Sequence, residues 1–364
     1  MKRRSKITLL ITLIVLVTGG FYAYNAFLFM YFISPGDGGV DYQKEIRILA
    51  GSNTGEAGFL DGNGSNVLMA KPIRLATLND STVVFADINN HAIRTIDSNG
   101  NVSTIVGGPE KAGYQDGPAD QAKIYSPHGV AVRSDGVIAV AEANNNIIRL
   151  LTPIQTFDVA SSYYEVSTLA GIAGDGGFKD GTNAEALFDA PHAVAWGPNG
   201  ELYVADIGNA RIRMIKDGKT TTVAGRDKVG AQDGDLAEGT LRYPMDIALD
   251  KAGNLWIIDA AELTIRKWNR EQGLTTPFPG LEIAMPHGIA IDEAGERIII
   301  AEMYGNRILA YDMENGSVST ICGSDTEEIK NGLNKPAAVL VNKGVVWIAD
   351  LGNNRIVVAE LPIE

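Results

Sequence analysis

Three of the four histidines in this chain directly follow a proline, as Pro127-His128, Pro191-His192 and Pro286-His287. Imidazoles that share one structural position around one opening can share a metal ion, because zinc commonly takes three histidines and leaves a place for water or substrate. The cofactor such a site would call for is zinc or another divalent metal. Two charged residues fall beside the same position: Asp246, two residues after Pro244, and Arg74, two residues after Pro72. Their matching offset allows them to form an ion pair or to contribute a polar lining. Other constellations are missing. The GDGG run at Gly174–Gly177 has neither the strand-loop-helix context nor the lysine of a phosphate loop, so its glycines serve a turn. No G-x-S-x-G, paired-carboxylate or Cys-His nucleophile arrangement is present. His91 lies in a turn and is expected to be exposed.

What must position these histidines is a repeat. Six prolines, Pro72, Pro127, Pro191, Pro244, Pro286 and Pro336, are each followed 14 to 16 residues later by an acid: Asp87, Glu142, Asp206, Asp259, Glu302 and Asp350. Each acid is followed six residues later by an isoleucine: Ile93, Ile148, Ile212, Ile265, Ile308 and Ile356. An apolar residue stands three positions before every proline: Met69, Ile124, Phe188, Leu241, Ile283 and Leu333. With 42 to 64 residues between successive prolines, a unit is too short to be a domain and must bury its apolar faces against its neighbours.

The unit after Pro191 shows the elements. It splits at turn signals into His192–Trp196, Glu201–Asp206, Arg211–Lys216 and Thr220–Ala224, separated by GPNG, IGNA and DGK. Four short runs rich in Val, Ile, Tyr or Thr make an antiparallel meander, and runs such as AVAW and LYVA are apolar on both faces, as a sheet between two other sheets requires. Six such sheets packed around an axis form an all-β, six-bladed propeller. The residues just after the prolines then begin the inner ring of a central channel: Ile73, His128, His192, Met245, His287 and Ala337. Arg74 and Asp246 lie next to it. The six acids recur in every unit before a tight turn, so they are read as turn scaffold rather than as calcium ligands or catalysts.

The pattern P-x-G-V-A-V, then L-Y-V-A-D, then N-x-R-I resembles the NHL repeat over about residues 45–361, with LYVADIGNARIR close to its consensus. The preceding loop, A-G-x-x-G-x-x-G-x-x-D-G, resembles that of secreted bacterial and plant members. It stands at Ala50–Gly62 and Ala170–Gly181, and in looser forms ending at Asp116-Gly117, Asp233-Gly234 and Asn331-Gly332; the unit between Pro244 and Pro286 lacks it. A narrower resemblance is to peptidylglycine amidating lyases, which are six-bladed and hold zinc with histidines in Pro-His dipeptides. Met285-Pro286-His287 matches one of their triplets. That likeness implies His128, His192 and His287 as metal ligands and Tyr304, in the loop after Glu302, as a proton-transfer residue. The departures are the ring spacing, with histidines in blades two, three and five, the tyrosine's blade, the missing disulfides and an arginine with no counterpart.

The ends of the chain fit together. The sixth unit stops after its third strand, Arg355–Leu361, while a spare fourth strand, Ile46–Ala50, precedes the first unit. The early strand is expected to complete the last blade and leave no open edge there. Ahead of it, residues 1–6 carry four positive charges and Ile7–Ser34 none. As a helix that stretch would span roughly 40 Å, enough to cross a bilayer. The expected organisation is a cytoplasmic basic tail (1–6), an uncleaved transmembrane signal anchor (7–34), a linker (35–44) and an extracytoplasmic propeller (45–361). The linker joins the face bearing the turns between third and fourth strands, so the glycine-rich loops and the histidines would look away from the membrane.

Without the four basic residues of the tail, 27 Lys+Arg stand against 44 Asp+Glu, a net charge of −17, which argues against nucleic acid as a partner. Cys322 is the only cysteine, so no intrachain disulfide can form. It occupies the small-residue slot held elsewhere by Ala50, Ala170 and Ala224, as a buried inert thiol would. An insertion, Thr152–Tyr164, ends in Ser161-Ser162-Tyr163-Tyr164 and reads as a long hairpin with contact-prone tyrosines. The expected function is a binding module for protein, peptide or glycan on the face away from the membrane. The alternative is a metal-dependent lyase or hydrolase at the channel mouth.

Overall fold

Strands form where the short β-rich runs predict them, and tight turns separate them. In the third unit they are Pro191–Trp196, Leu202–Asp206, Arg211–Lys216 and Lys219–Ala224. The last two are joined by Asp217 and Gly218, both at positive φ (50° and 74°), the two-residue turn whose twist suits a hairpin. A single 3₁₀ turn, Ile207–Asn209, links the second and third strands and ends on Ala210 in the left-handed region. The computed structural model describes residues 45–154, 163–281, 283–292, 296–323 and 332–361, and six antiparallel sheets are built from them. The expected tail, anchor and linker (1–44), Ser161 and Ser162 of the insertion, and Asn331 lie outside the described residues. Among the described residues, no helix is long and apolar enough to cross a membrane.

The sixth sheet closes the ring as the chain ends require. Arg47–Ala50 pairs antiparallel with Arg355–Glu360, with Arg47 opposite Val358 and Ala50 opposite Ile356. Side-chain packing confirms the join, since Leu49 and Ala50 share one buried cluster with Trp347, Ile356, Met69 and Phe85. The apolar residues three positions before each proline are all buried. Phe188, for example, packs with Ala139 and Ile148 of blade two and Val204 of blade three, filling the wedge between adjacent sheets. Cys322 is fully buried, and burial, then the Asp350 charge, pushes its thiol up to about 12.

The glycine-rich loops do more than turn. Gly62–Asn63, Gly117–Pro118 and Gly181–Thr182 each add a two-residue strand to the outer edge of blades one, two and three. These sheets are therefore five-stranded, and their exposed edge, otherwise a template for pairing with other chains, is partly covered.

The repeated acids are scaffold: Asp87, Glu142, Asp206 and Asp350 accept from the asparagine of their own turn, and all six hold a second segment as well. Asp87, Asp206, Glu302 and Asp350 each accept the backbone N–H of the residue two before their blade's proline, at Ala70, Asp189, Ala284 and Asn334. Glu142 and Asp259 do the same with Tyr125 and Arg242. Each acid thus ties the end of the second strand to the start of the first. Adjacent blades are latched next to these points: Asn146 Oδ1 accepts from Ala190 N, Asn306 Oδ1 from Lys335 N, and Asn354 Oδ1 from Lys71 N across the closure. In blade one the latch is His91, whose Nδ1 accepts from Ser126 N while its ring lies 5.0 Å from that of Tyr125. His91 is therefore half-buried rather than exposed.

Candidate functional site

The start of every first strand carries a β-bulge, and the bulge aims side chains at the axis. In blades two to six the pairing slips at the residue after the proline, so that Pro127 faces Glu142 and Gly129 faces Ala141, leaving His128 unpaired between them. His192, Met245, His287 and Ala337 occupy the same bulged position. Blade one differs: Ile73 stays in register opposite Ala86 and the slip falls on Arg74, which adopts φ +42°. A bulge re-aims one side chain per strand, and here it sends a guanidinium rather than Ile73 toward the axis. Ile73 and Ala337 are instead buried in one apolar cluster with Ile124 and Val140, and Met245 packs with Trp256 and Ile289, so none of these three provides a wetted lining. Gly129 and Gly288, which follow two of the histidines, let the next first strand approach closely. A Cβ on Gly129 would sit 2.9 Å from His192 O, and one on Gly288 2.7 Å from Ala337 O.

Arg74 and Asp246 form a buried ion pair, 3.0 Å from Nη1 to Oδ2, joining blades one and four across the ring. Arg74 Nη2 also donates to Met245 O at 2.6 Å, and Asp246 accepts from Ile247 N and Ile289 N, each at 2.8 Å. Burial pulls the pair toward neutrality, lowering the pKa of Arg74 and raising that of Asp246, and their mutual attraction opposes this. Every contact on Asp246 is a donor, which favours its ionised form against burial. Arg74 Nε is buried and has no hydrogen-bond partner.

The three imidazoles gather around this pair. Ring centroids of His128 and His192 lie 4.7 Å apart and those of His192 and His287 5.8 Å apart. His128 Nδ1 donates to Ser126 O at 2.9 Å, and His287 Nδ1 donates to Ala337 O at 2.7 Å, which leaves a lone pair on each Nε2. His192 Nδ1 lies 3.0 Å from Met245 O and 3.2 Å from Arg74 Nη2, so it either donates to the carbonyl or accepts from the guanidinium. Burial drives all three below the ordinary histidine range, His128 to about 4, His287 to about 3 and His192 well below 6.5. The Arg74 charge pushes each in the same direction. They are neutral at physiological pH.

The predicted trio thus comes together. Among the described residues, no group of three or more His, Cys, Asp or Glu side chains is placed to hold a metal ion. Tyr304 is 62% exposed, held by its backbone N–H to Ala284 O, and among the described residues no ring contact joins it to the imidazoles. The arrangement offers neutral hydrogen-bonding groups.

A second feature of this end of the propeller was not read from the sequence. In blades one to four the residue after the repeated isoleucine is an arginine, and Arg94, Arg149, Arg213 and Arg266 are fully buried. Arg213 joins the repeated acid Asp206 (2.7 Å) to the loop residue Asp180 (2.6 Å), and Arg94 does the same for Asp87 and Asp61. Blades five and six lack an Asp-Gly pair in the preceding loop, and there the acid is paired by the arginine before the isoleucine, Arg307 or Arg355. The signal was present as a covariation within the chain: an Asp-Gly loop goes with Arg after Ile.

Aromatic loop residues roof these arginines. Arg94 lies 5.1 Å from the Phe59 centroid, Arg149 5.2 Å from Tyr114 and Arg213 4.9 Å from Phe178. Their rings remain 38 to 47% exposed. Among the described residues, most of the exposed large apolar side chains share this loop-bearing end: Phe59, Leu60, Tyr114, Ile172, Phe178, Val229, Leu236 and Tyr304, against Ile154 and Val318 at the other end.

No protein-family model matches the chain. NHL repeat-containing protein 2 of Homo sapiens is 23% identical over 334 residues, covering 77% of this chain and 45% of its own length. The chain therefore spans less than half of that relative. Among solved structures, a Bacteroides thetaiotaomicron protein of unknown function is similar at TM-score 0.62 and 17% identity, covering 86% of this chain and 75% of that one. A virginiamycin B lyase of Staphylococcus aureus is similar at TM-score 0.53 and 17% identity, covering 80% and 81%. The resemblance to NHL-repeat propellers holds, and the solved structures support the fold alone.

Proposed function

We propose that this chain is a membrane-anchored, extracytoplasmic propeller that acts as a binding module for protein, peptide or glycan through its loop-bearing end. The observation that carries this reading is the one-sided distribution of exposed large apolar side chains among the described residues, eight at that end and two at the other. Surface aromatics held rigid from behind, as Phe59, Tyr114 and Phe178 are by buried arginines, lose little entropy on contact and are favoured interface anchors. The acidic surface turns away nucleic acid.

The test is site-specific photo-crosslinking in intact cells, with the photoreactive residue at Phe178 or at Ile154. Capture of one defined partner from Phe178 and not from Ile154 supports the proposal, and capture from Ile154 alone overturns it. In the same cells, external protease should digest the propeller and leave the anchor cell-bound. A mature protein that begins after residue 20 would refute the anchor.

A further inference from the structure

We propose that the axial site formed by His128, His192, His287 and Arg74 binds a neutral, hydroxyl-rich ligand, a sugar or other polyol, through direct hydrogen bonds to the imidazole Nε2 atoms. The proposal rests on the reading of the loop-bearing end as the binding face and names what its centre would hold.

The argument is one of matching donors, acceptors and charge. His128 and His287 have their Nδ1–H groups committed to Ser126 O and Ala337 O, so each presents an acceptor at Nε2. His192 presents an acceptor or a donor according to which of Met245 O and Arg74 its Nδ1 serves. Arg74 Nε is a buried donor without a partner, and such a group is costly to leave unsatisfied. Acceptors and one reversible group brought together at one ring suit a ligand whose groups both give and take hydrogen bonds. A hydroxyl does both from a single atom.

Charge excludes the other classes. Arg74 and Asp246 neutralise each other, so the site offers no net negative charge to a metal ion or ammonium group and no net positive charge to an anion. An anion would meet Nε2 lone pairs unless the rings took up protons, which they resist at neutral pH. The left-handed backbone of Arg74, at φ +42°, adds that the chain holds this guanidinium in place against a local conformational preference, as strained residues at binding sites are held. His128 and His192 are only partly buried, so a ligand can reach them from outside.

Isothermal titration of the full-length protein with a panel of neutral sugars and polyols, including glucose, maltose, sucrose and myo-inositol, tests this, with zinc chloride, phosphate and a short neutral peptide as competing probes. Saturable binding of at least one neutral polyol is expected, with affinity unchanged within twofold between pH 5.5 and 7.5. His128→Leu and His287→Leu should each weaken it at least tenfold while the melting temperature stays within a few degrees. Failure of the whole polyol panel, saturable binding of zinc or peptide in its place, or an affinity that rises about tenfold per pH unit on acidification would overturn the proposal. Crosslinking at Phe178 is read separately, so loss of the polyol site and loss of the binding face are distinguishable.

Discussion

Removing the buried guanidinium of blade three should show how much of the fold depends on the acid-arginine stitch. In Arg213→Met the aliphatic volume is largely kept, but Asp206 loses the partner at 2.7 Å and stays fully buried. Leu187 O and Lys179 O lose donors at 3.0 and 2.8 Å, and Phe178 and Phe188 lose the cation between them. Breaking a buried ion pair from one side costs about 3–5 kcal/mol. At roughly 2 °C per kcal/mol for a domain of this size, the melting temperature should fall by about 6–10 °C. Asp180→Asn is the control: Asp180 is 40% exposed and keeps an acceptor oxygen, so its loss should cost no more than about 1 kcal/mol.

The effect should also depend on pH. Burial pushes Asp206 up to about 6, while Asp189 N–H, Asn209 and Arg213 hold it down. Without Arg213 it rises further. A carboxyl whose folded pKa is raised binds more protons folded than unfolded, so its contribution to stability falls as pH increases through that window. The penalty of Arg213→Met should therefore be smallest near pH 5 and grow by up to about 1.4 kcal/mol per pH unit above pH 6. Urea unfolding of both variants at pH 5 and pH 8 reads this directly. A penalty equal to that of Asp180→Asn, or one independent of pH, would refute the reasoning.

Deleting residues 45–50 should uncover the edge of Arg355–Glu360 and convert a monodisperse propeller into soluble aggregates on size-exclusion chromatography; an unchanged monomer with the same melting temperature would mean that the early strand does not close the ring. Cys322, fully buried with its thiol pushed up to about 12, should be silent to a thiol reagent at pH 8 in the native protein and react once unfolded in urea. Rapid native labelling would contradict its placement.

The six-unit register, the four strands per blade and the closure by Ile46–Ala50 could be read from the chain because they follow from local properties. Turn residues set strand ends, apolar runs set which strands lie between sheets, and a missing fourth strand at one end matches a spare one at the other. The position of three histidines at one ring followed from the same register. The occupant of blade one's bulge could not be read this way. Whether Ile73 or Arg74 takes the unpaired position depends on a one-residue slip against Ala86, and a slip leaves no mark in composition.

That slip turned an expected open histidine ring into rings packed around an Arg74–Asp246 pair, because a guanidinium can reach across the axis to blade four and Ile73 cannot. The buried arginines were missed for a related reason: a charged residue in an apolar strand reads as solvent-facing until its counter-ions, here from a loop 33 residues earlier and an acid 7 residues earlier, are brought beside it. Sequence alone thus determined the repeat, the strands and the ring position of the histidines, which are local and periodic. Tertiary structure decided which of the two readings of Arg74 and Asp246 holds, an ion pair rather than a polar lining, and what packs against that ring, because those depend on groups that meet only when six blades close around one axis.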